Sequence, residues 1–281
     1  IKLYKSSDNS LVASVQETYS TGTTTFSGLT ADTNYYATVT AIGSGNYLDS
    51  AESSASATIT TNALPVSPVI TSQPTNLIIT SGNTASFAVT ATRSDGGVLS
   101  YQWQSATIGS FSNVSGATSA TYTTPALTVA DSGTRYRVLV YNSKNGATSS
   151  AVTSESATVS VNAITLSTPT APTGSAVSGS TTALSIVYSG SRVSNTTVYS
   201  IKLYKSSDNS LEASVQETYS TGTTTFSGLR ADTNYYATVT AIGSGNYGNS
   251  AESSASATIT TNALPVSPVI TSQPTNTAIT S

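Results

Sequence analysis

Residues 1–81 and 201–281 align without a gap and carry the same residue at 75 of 81 positions. The six differences are Val12/Glu212, Thr30/Arg230, Leu48/Gly248, Asp49/Asn249, Leu77/Thr277 and Ile78/Ala278. The repeat is therefore 200 residues long, against about 20–50 for a solenoid whose units share one continuous core. A unit of that size holds two domains of about 100 residues, each with its own core. The expected arrangement is beads on a string. Ile1 aligns with Ile201, inside a strand that begins near Thr197, so the first copy has nothing equivalent to residues 163–200. Residues 263–281 repeat the opening of a domain whose complete version starts near Ala63. Exchange of tail for head does not match these pieces. The expectation is a window on a longer tandem array.

Ser (52) and Thr (51) make up more than a third of the 281 residues, a bias shared with mucin-like and disordered tracts. Sixteen tyrosines and a widespread period of two argue instead for half-buried strands. Tyr199, Ile201 and Leu203 alternate with Ser200 and Lys202; Ala85, Phe87 and Val89 keep the same period, as do Tyr136, Val138 and Val140. Ala255, Ala257 and Ile259 alternate with Ser256, Thr258 and Thr260, which predicts a strand there too. Turn signals such as Asp95-Gly96-Gly97, Ser44-Gly45-Asn46 and Lys144-Asn145-Gly146 separate the runs. No stretch shows a 3.6-residue period of comparable quality. The fold class expected is all-β, a tandem of β-sandwiches.

Leu229, Thr233, Tyr235, Val239 and Ala241 spell L-x-x-x-T-x-Y-x-x-x-V-x-A, and Leu29, Thr33, Tyr35, Val39 and Ala41 repeat it. With Pro169 and Pro172, this pattern makes residues 163–262 resemble a fibronectin type III module and residues 1–62 a partial one whose first strands are missing. The usual second-strand Trp is absent, and Leu184, Ile186 and Tyr188 occupy that region. The resemblance implies a corner in which Tyr35 and Tyr235 bury their rings and bond their hydroxyls to nearby backbone. Tyr36 and Tyr236 point outward by alternation.

Tyr101-Gln102-Trp103-Gln104 and the run Asp131-Ser132-Gly133-Thr134-Arg135-Tyr136-Arg137-Val138 make residues 63–162 resemble a bacterial immunoglobulin-like module. One extra residue separates Gly133 from Tyr136. The resemblance implies core roles for Trp103 and Tyr136. It also places Val89 and Val138 at the two cysteine positions, so aliphatic packing replaces a cross-link worth about 2–4 kcal/mol. Residues 263–281 would then begin a further immunoglobulin-like module.

The chain has no His, Cys or Met. This excludes a Ser–His–Asp relay, imidazole or thiolate metal sites and disulfides. The carboxylates are scattered, with Asp32, Asp232 and Asp131 in turns, and neither a calcium loop nor an S-x-x-K pair occurs. No catalytic, cofactor or metal residue is therefore assigned. Ten cations against thirteen acids give no footprint for nucleic acid, and no run of 18 apolar residues inserts in a membrane. The opening residues lack the charged-then-apolar pattern of a secretory signal. Asn113-Val114-Ser115 and Asn195-Thr196-Thr197 are glycosylation acceptor triplets. Arg135 and Arg137 flank Tyr136 and face outward together, as an anion or partner contact or as a solvated sheet face. Lys202 and Lys205 remain open as isopeptide partners.

The junctions Val161–Leu166 and Thr261–Pro268 are short and partly apolar, and the second bears proline, which stiffens an array. The resemblances imply a non-enzymatic, extracellular structural repeat: a semi-rigid stalk, filament or sheath at a prokaryotic cell surface that supports adhesion. Its partners would be neighbouring modules of the same chain, or identical chains in a filament or sheath. The alternative is a carbohydrate- or receptor-binding accessory module of a secreted protein or glycan-degrading enzyme. Binding loops should diverge between copies, yet Leu48-Asp49 against Gly248-Asn249 is the one loop change, which favours the spacer.

Overall fold

The computed structural model describes residues 1–18 and 22–275. The differences at positions 277 and 278, and the end of the 263–281 segment, lie outside the described residues. The chain forms two compact units: Ile1–Leu77 with Thr84–Pro125 and Gly133–Ser160, and Ile78–Asn83 with Ala126–Ser132 and Val161–Ser281. Residues 1–62 thus share the first unit with most of residues 63–160.

The first unit opens with β1 (Lys2–Lys5), β2 (Leu11–Ser14), β3 (Asn34–Thr38) and β4 (Ile59–Thr60), an antiparallel sheet in the order β2-β1-β3-β4. Asp8 closes the first turn by accepting the Ser10 N–H at 2.9 Å, while Asn9 adopts a φ of 58°. Short polar side chains of this kind tolerate the left-handed region. The strands that follow are β5 (Val69–Ser72), β6 (Leu77–Thr80), β7 (Ser86–Ala88), β8 (Thr90–Thr92), β9 (Val98–Ala106), β10 (Ser112–Asn113), β11 (Thr121–Thr123), β12 (Arg135–Lys144), β13 (Ala147–Thr148), β14 (Val152–Thr153) and β15 (Ala157–Asn162). One layer runs β10-β9-β12-β15, with β13 and β14 also on β12; β5 pairs with β8 and β7 with β11, and all of β6 but Leu77 belongs to the second unit. β12 alternates half-buried and buried residues along its length, so Tyr136, Val138 and Val140 enter the core.

The second unit holds β16 (Ile164–Thr165), β17 (Thr173–Ala176), β18 (Leu184–Val187), β19 (Val198–Lys205), β20 (Leu211–Thr218), β21 (Thr223–Phe226), β22 (Asn234–Ile242), β23 (Tyr247–Gly248) and β24 (Ile259–Thr260). Sheets β17-β18-β21 and β20-β19-β22-β24 are antiparallel, and β16 pairs with β23 in parallel. Leu184 and Ile186 from the first sheet pack in one buried cluster with Tyr199, Ile201, Tyr235 and Val239 from the second. Helix among the described residues amounts to two three-residue 3-10 turns, and no helix is long and apolar enough to cross a membrane. The protein is all-β, built of β-sandwiches.

One strand expectation fails. Residues 249–258 form no strand, and Ala255 and Ala257 are exposed. Burial there follows a period of three, Ser250, Ser253, Ser256 and Ile259, because serine hydroxyls rather than alternate side chains meet the neighbouring strand. Residues 269–272 repeat the sequence of β5 yet form no strand and leave Val269 and Ile270 exposed. A strand needs a partner backbone, and β8 supplies it to β5.

Candidate functional site

A serine ladder runs along β22. The N–H of Ser250, Ser253 and Ser256 donates to the carbonyls of Ala241, Val239 and Ala237 at 2.8–3.0 Å. In return, the N–H of each of those strand residues donates to the hydroxyl of the same serine at 2.9–3.0 Å. Each hydroxyl then donates to the carbonyl of the residue after it. The ladder advances three residues for every two of β22, so the serine segment rises only about 2.3 Å per residue against about 3.4 Å for a strand. Its own carbonyls cannot keep register at that rise, and the hydroxyl accepts instead. Ser50, Ser53 and Ser56 repeat the ladder on residues 41, 39 and 37. Ser154 treats Val138 in the same way, as Ser149 does Asn142.

Between ladder serines, Glu252 turns to the outer sheet face and accepts from Lys202 Nζ at 3.2 Å, Tyr204 Oη at 3.0 Å and the Thr238 hydroxyl. Glu52 does the same with Lys2, Tyr4 and Thr38. The Thr38 hydroxyl, followed by Lys2, holds Glu52 below its ordinary range. At Glu252 burial pushes the other way, yet Thr238 and Lys202 still leave it lowered. Lys202 is thus an ion-pair partner of a carboxylate. Tyr36 stacks on Tyr4 with centroids 5.2 Å apart, and Tyr236 on Tyr204 at 5.1 Å.

The corner tyrosines are buried. Tyr235 Oη accepts the Arg230 N–H at 3.2 Å, and Tyr35 Oη the Thr30 N–H at 3.1 Å. Asp32 and Asp232 sit at φ of 48° and 49° in the same corners. Trp103 is buried and donates from Nε1 to the Ser119 carbonyl at 2.9 Å; Phe87 lies between it and Tyr136, 6.3 and 4.7 Å from their rings. Val89 and Val138 are buried. Asp131 closes a turn by accepting from the Thr128 N–H and hydroxyl. The side-chain carbonyl of Asn113 accepts from Gln104, while Asn195 is an exposed turn residue at a φ of 67°. Arg135 and Arg137 both lie over the Phe111 ring, 5.1 and 4.2 Å from its centroid, and Arg137 Nε donates to Gln104.

Sequence reasoning missed two clamps. In the first unit, Asp95 accepts the Val66 N–H at 2.8 Å and the Gly97 N–H at 3.0 Å, while buried Asn142 donates to both Asp95 oxygens and to the Val66 carbonyl. The Val66 and Gly97 amides hold the Asp95 carboxyl at about 2. Gly97 is required for closeness: a Cβ there would stand 2.2 Å from Asn142 Oδ1. In the second unit, Ile164 donates to the Asn246 carbonyl, Leu166 to the Gly248 carbonyl, and Val129 to Asn246 Oδ1 at 3.1 Å. The change from Leu48-Asp49 to Gly248-Asn249 therefore falls at the end of β23, whose Gly248 carbonyl accepts from Leu166. Among the described residues no three acidic side chains cluster as metal ligands.

The fold and these contacts define a class: a tandem β-sandwich protein whose polar groups serve its own backbone. A family model described as a domain of unknown function (DUF8696) matches residues 70–163. No curated protein matches the sequence. Among solved structures, the chain is similar to the chicken CNTN1 FN1–FN3 domains, at 18% identity over 83% of this chain and 77% of that one, with a TM-score of 0.33. It is also similar to domains A168–A170 of titin, at 14% identity over 93% and 88%, with a TM-score of 0.30.

Proposed function

We propose that this chain is a non-enzymatic structural repeat of a semi-rigid stalk, filament or sheath at a prokaryotic cell surface, where it supports adhesion. The observation that carries this reading is the serine ladder. The hydroxyls of Ser250, Ser253 and Ser256 each accept from a backbone amide of β22 and donate to a backbone carbonyl, so they serve the fold. The two clamps support it further, since they hold the segments at Val66 and Ile164 in fixed register. A chain without Cys or Met also suits a surface exposed to oxidants. Immunogold electron microscopy of intact source cells tests the proposal. Label along fibres or a sheath outside the envelope is the expected result; label confined to the interior, or turnover of a glycan by the chain alone, overturns it.

A further inference from the structure

Arg135 and Arg137 share one face of β12, and both guanidiniums lie over the Phe111 ring. Neutral acceptors hold them there: Arg135 donates to the Gly109 carbonyl at 3.1 Å, and Arg137 Nε to Gln104 Oε1 at 2.8 Å. Among the described residues the ion pairs are Lys2–Glu52 and Lys202–Glu252, so neither arginine faces a carboxylate. A ring face attracts cations but carries no net charge, and the two like charges repel. Their remaining N–H groups form forks that fit a carboxylate. Ile108, just before Gly109, is 91% exposed. The patch is thus positive with an apolar margin.

A surface of opposite charge stands on β20, an edge strand that pairs with β19 alone. Leu211 is 55% exposed there, and Glu212 beside it is exposed, with no hydrogen bond or ion pair among the described residues. In the first copy the same place holds Leu11 and Val12, equally on the surface. The fold therefore does not decide between valine and glutamate at this position. Residues 63–162 carry four cations against three acids, and residues 163–262 four against five, so the two modules are complementary in net charge as well.

We propose that Leu211-Glu212 of one chain docks on Ile108, Arg135 and Arg137 of a second copy. The Glu212 carboxylate bridges the two guanidiniums, and Leu211 covers Ile108. Val12 offers no carboxylate, so the contact selects residues 201–262 over residues 1–62 and sets the stagger of adjacent chains. This contact deepens the filament or sheath form of the proposed function and rests on it. One exposed pair is weak; chains that align several at once gain strength from multivalency.

Sedimentation velocity of the full chain over a concentration series tests the contact. Self-association is expected, and it should fall as salt rises from about 0.01 M to 1 M, because the screening length shrinks from about 30 Å to about 3 Å. Glu212→Val, which installs the residue already present at position 12, should weaken association at least about three-fold. Val12→Glu should strengthen it by adding a second docking point. Chains carrying R135E with R137E, and chains carrying E212R, should each lose association alone and regain it when mixed, which a purely structural role for the arginines would not produce. If the double reversal does not fold, Glu212→Val and Val12→Glu give the same decision. A chain that stays monomeric, or one that associates equally with valine at 212, overturns the inference. So does an oligogalacturonate probe that binds at Arg135 and Arg137 while the chain stays monomeric. Monomers together with surface label on cells would sink this contact and leave the stalk standing.

Discussion

Replacing Ser253 with Ala removes one hydroxyl from the middle of the ladder. The Val239 N–H, in a fully buried residue, loses its acceptor, and the Ser254 carbonyl loses its donor. A buried amide left unpaired costs about 1–3 kcal/mol. For a domain of about 100 residues that is a fall in Tm of about 4–8 °C per kcal/mol. Ser53→Ala removes the same two hydrogen bonds from the first copy. There Val39 is half exposed, water replaces the hydroxyl, and the cost stays within about 0.5 kcal/mol, as for an ordinary surface change. Ser253→Thr keeps an oxygen in place and recovers most of the loss. Amide exchange resolved at Val239 and Val39 in the intact chain, combined with calorimetric melting, measures both. Equal effects in the two copies, or no effect at Ser253, would refute the claim that the ladder satisfies buried backbone.

Four further outcomes follow from the contacts. Asp95 has a carboxyl held at about 2, below its ordinary 3.8, so its contribution is complete above about pH 4 and lost as pH falls toward 2; an acid titration followed by NMR should show the Val66 and Gly97 amides released together, a step absent in Asp95→Asn. Tyr188 is pushed up to about 12 by burial and by the neighbouring Glu217. Its stabilising effect is therefore full below pH 10 and lost on rising through 12, and tyrosinate absorbance at pH 11 should show it protonated until the fold melts. Tyr235→Phe strips the acceptor from the Arg230 N–H and should cost about 1 kcal/mol by denaturant unfolding, with the ring packing retained. Asn142→Ala removes the side-chain donor to the Val66 carbonyl and one of the donors to each Asp95 oxygen, and should accelerate amide exchange at Val66 while Trp103 fluorescence stays native.

The all-β class is legible because period-two burial is a local property. Tyr199, Ile201 and Leu203 are spaced so that any strand through them has one apolar face. The serine ladder is different. Its three-residue spacing is written in Ser250, Ser253, Ser256 and Ile259, but Ala255 and Ala257 offer a competing period of two. Only the position of β22 decides which wins. The clamps are further from view, since Asn142 meets Asp95 and Val66 across 47 and 76 residues of chain. Arg135 and Arg137 could be placed on one face from alternation alone. Their shared ring, Phe111, is brought beside them by the separate excursion after β9.

Stretching single molecules of the full chain tests most directly whether it consists of independent β building units. If residues 63–162 and 163–262 each carry their own core, unfolding gives separate force peaks. Each should release about 100 residues, roughly 330–360 Å of contour at about 3.3–3.6 Å per residue. One peak of twice that length, or featureless extension, would contradict the account.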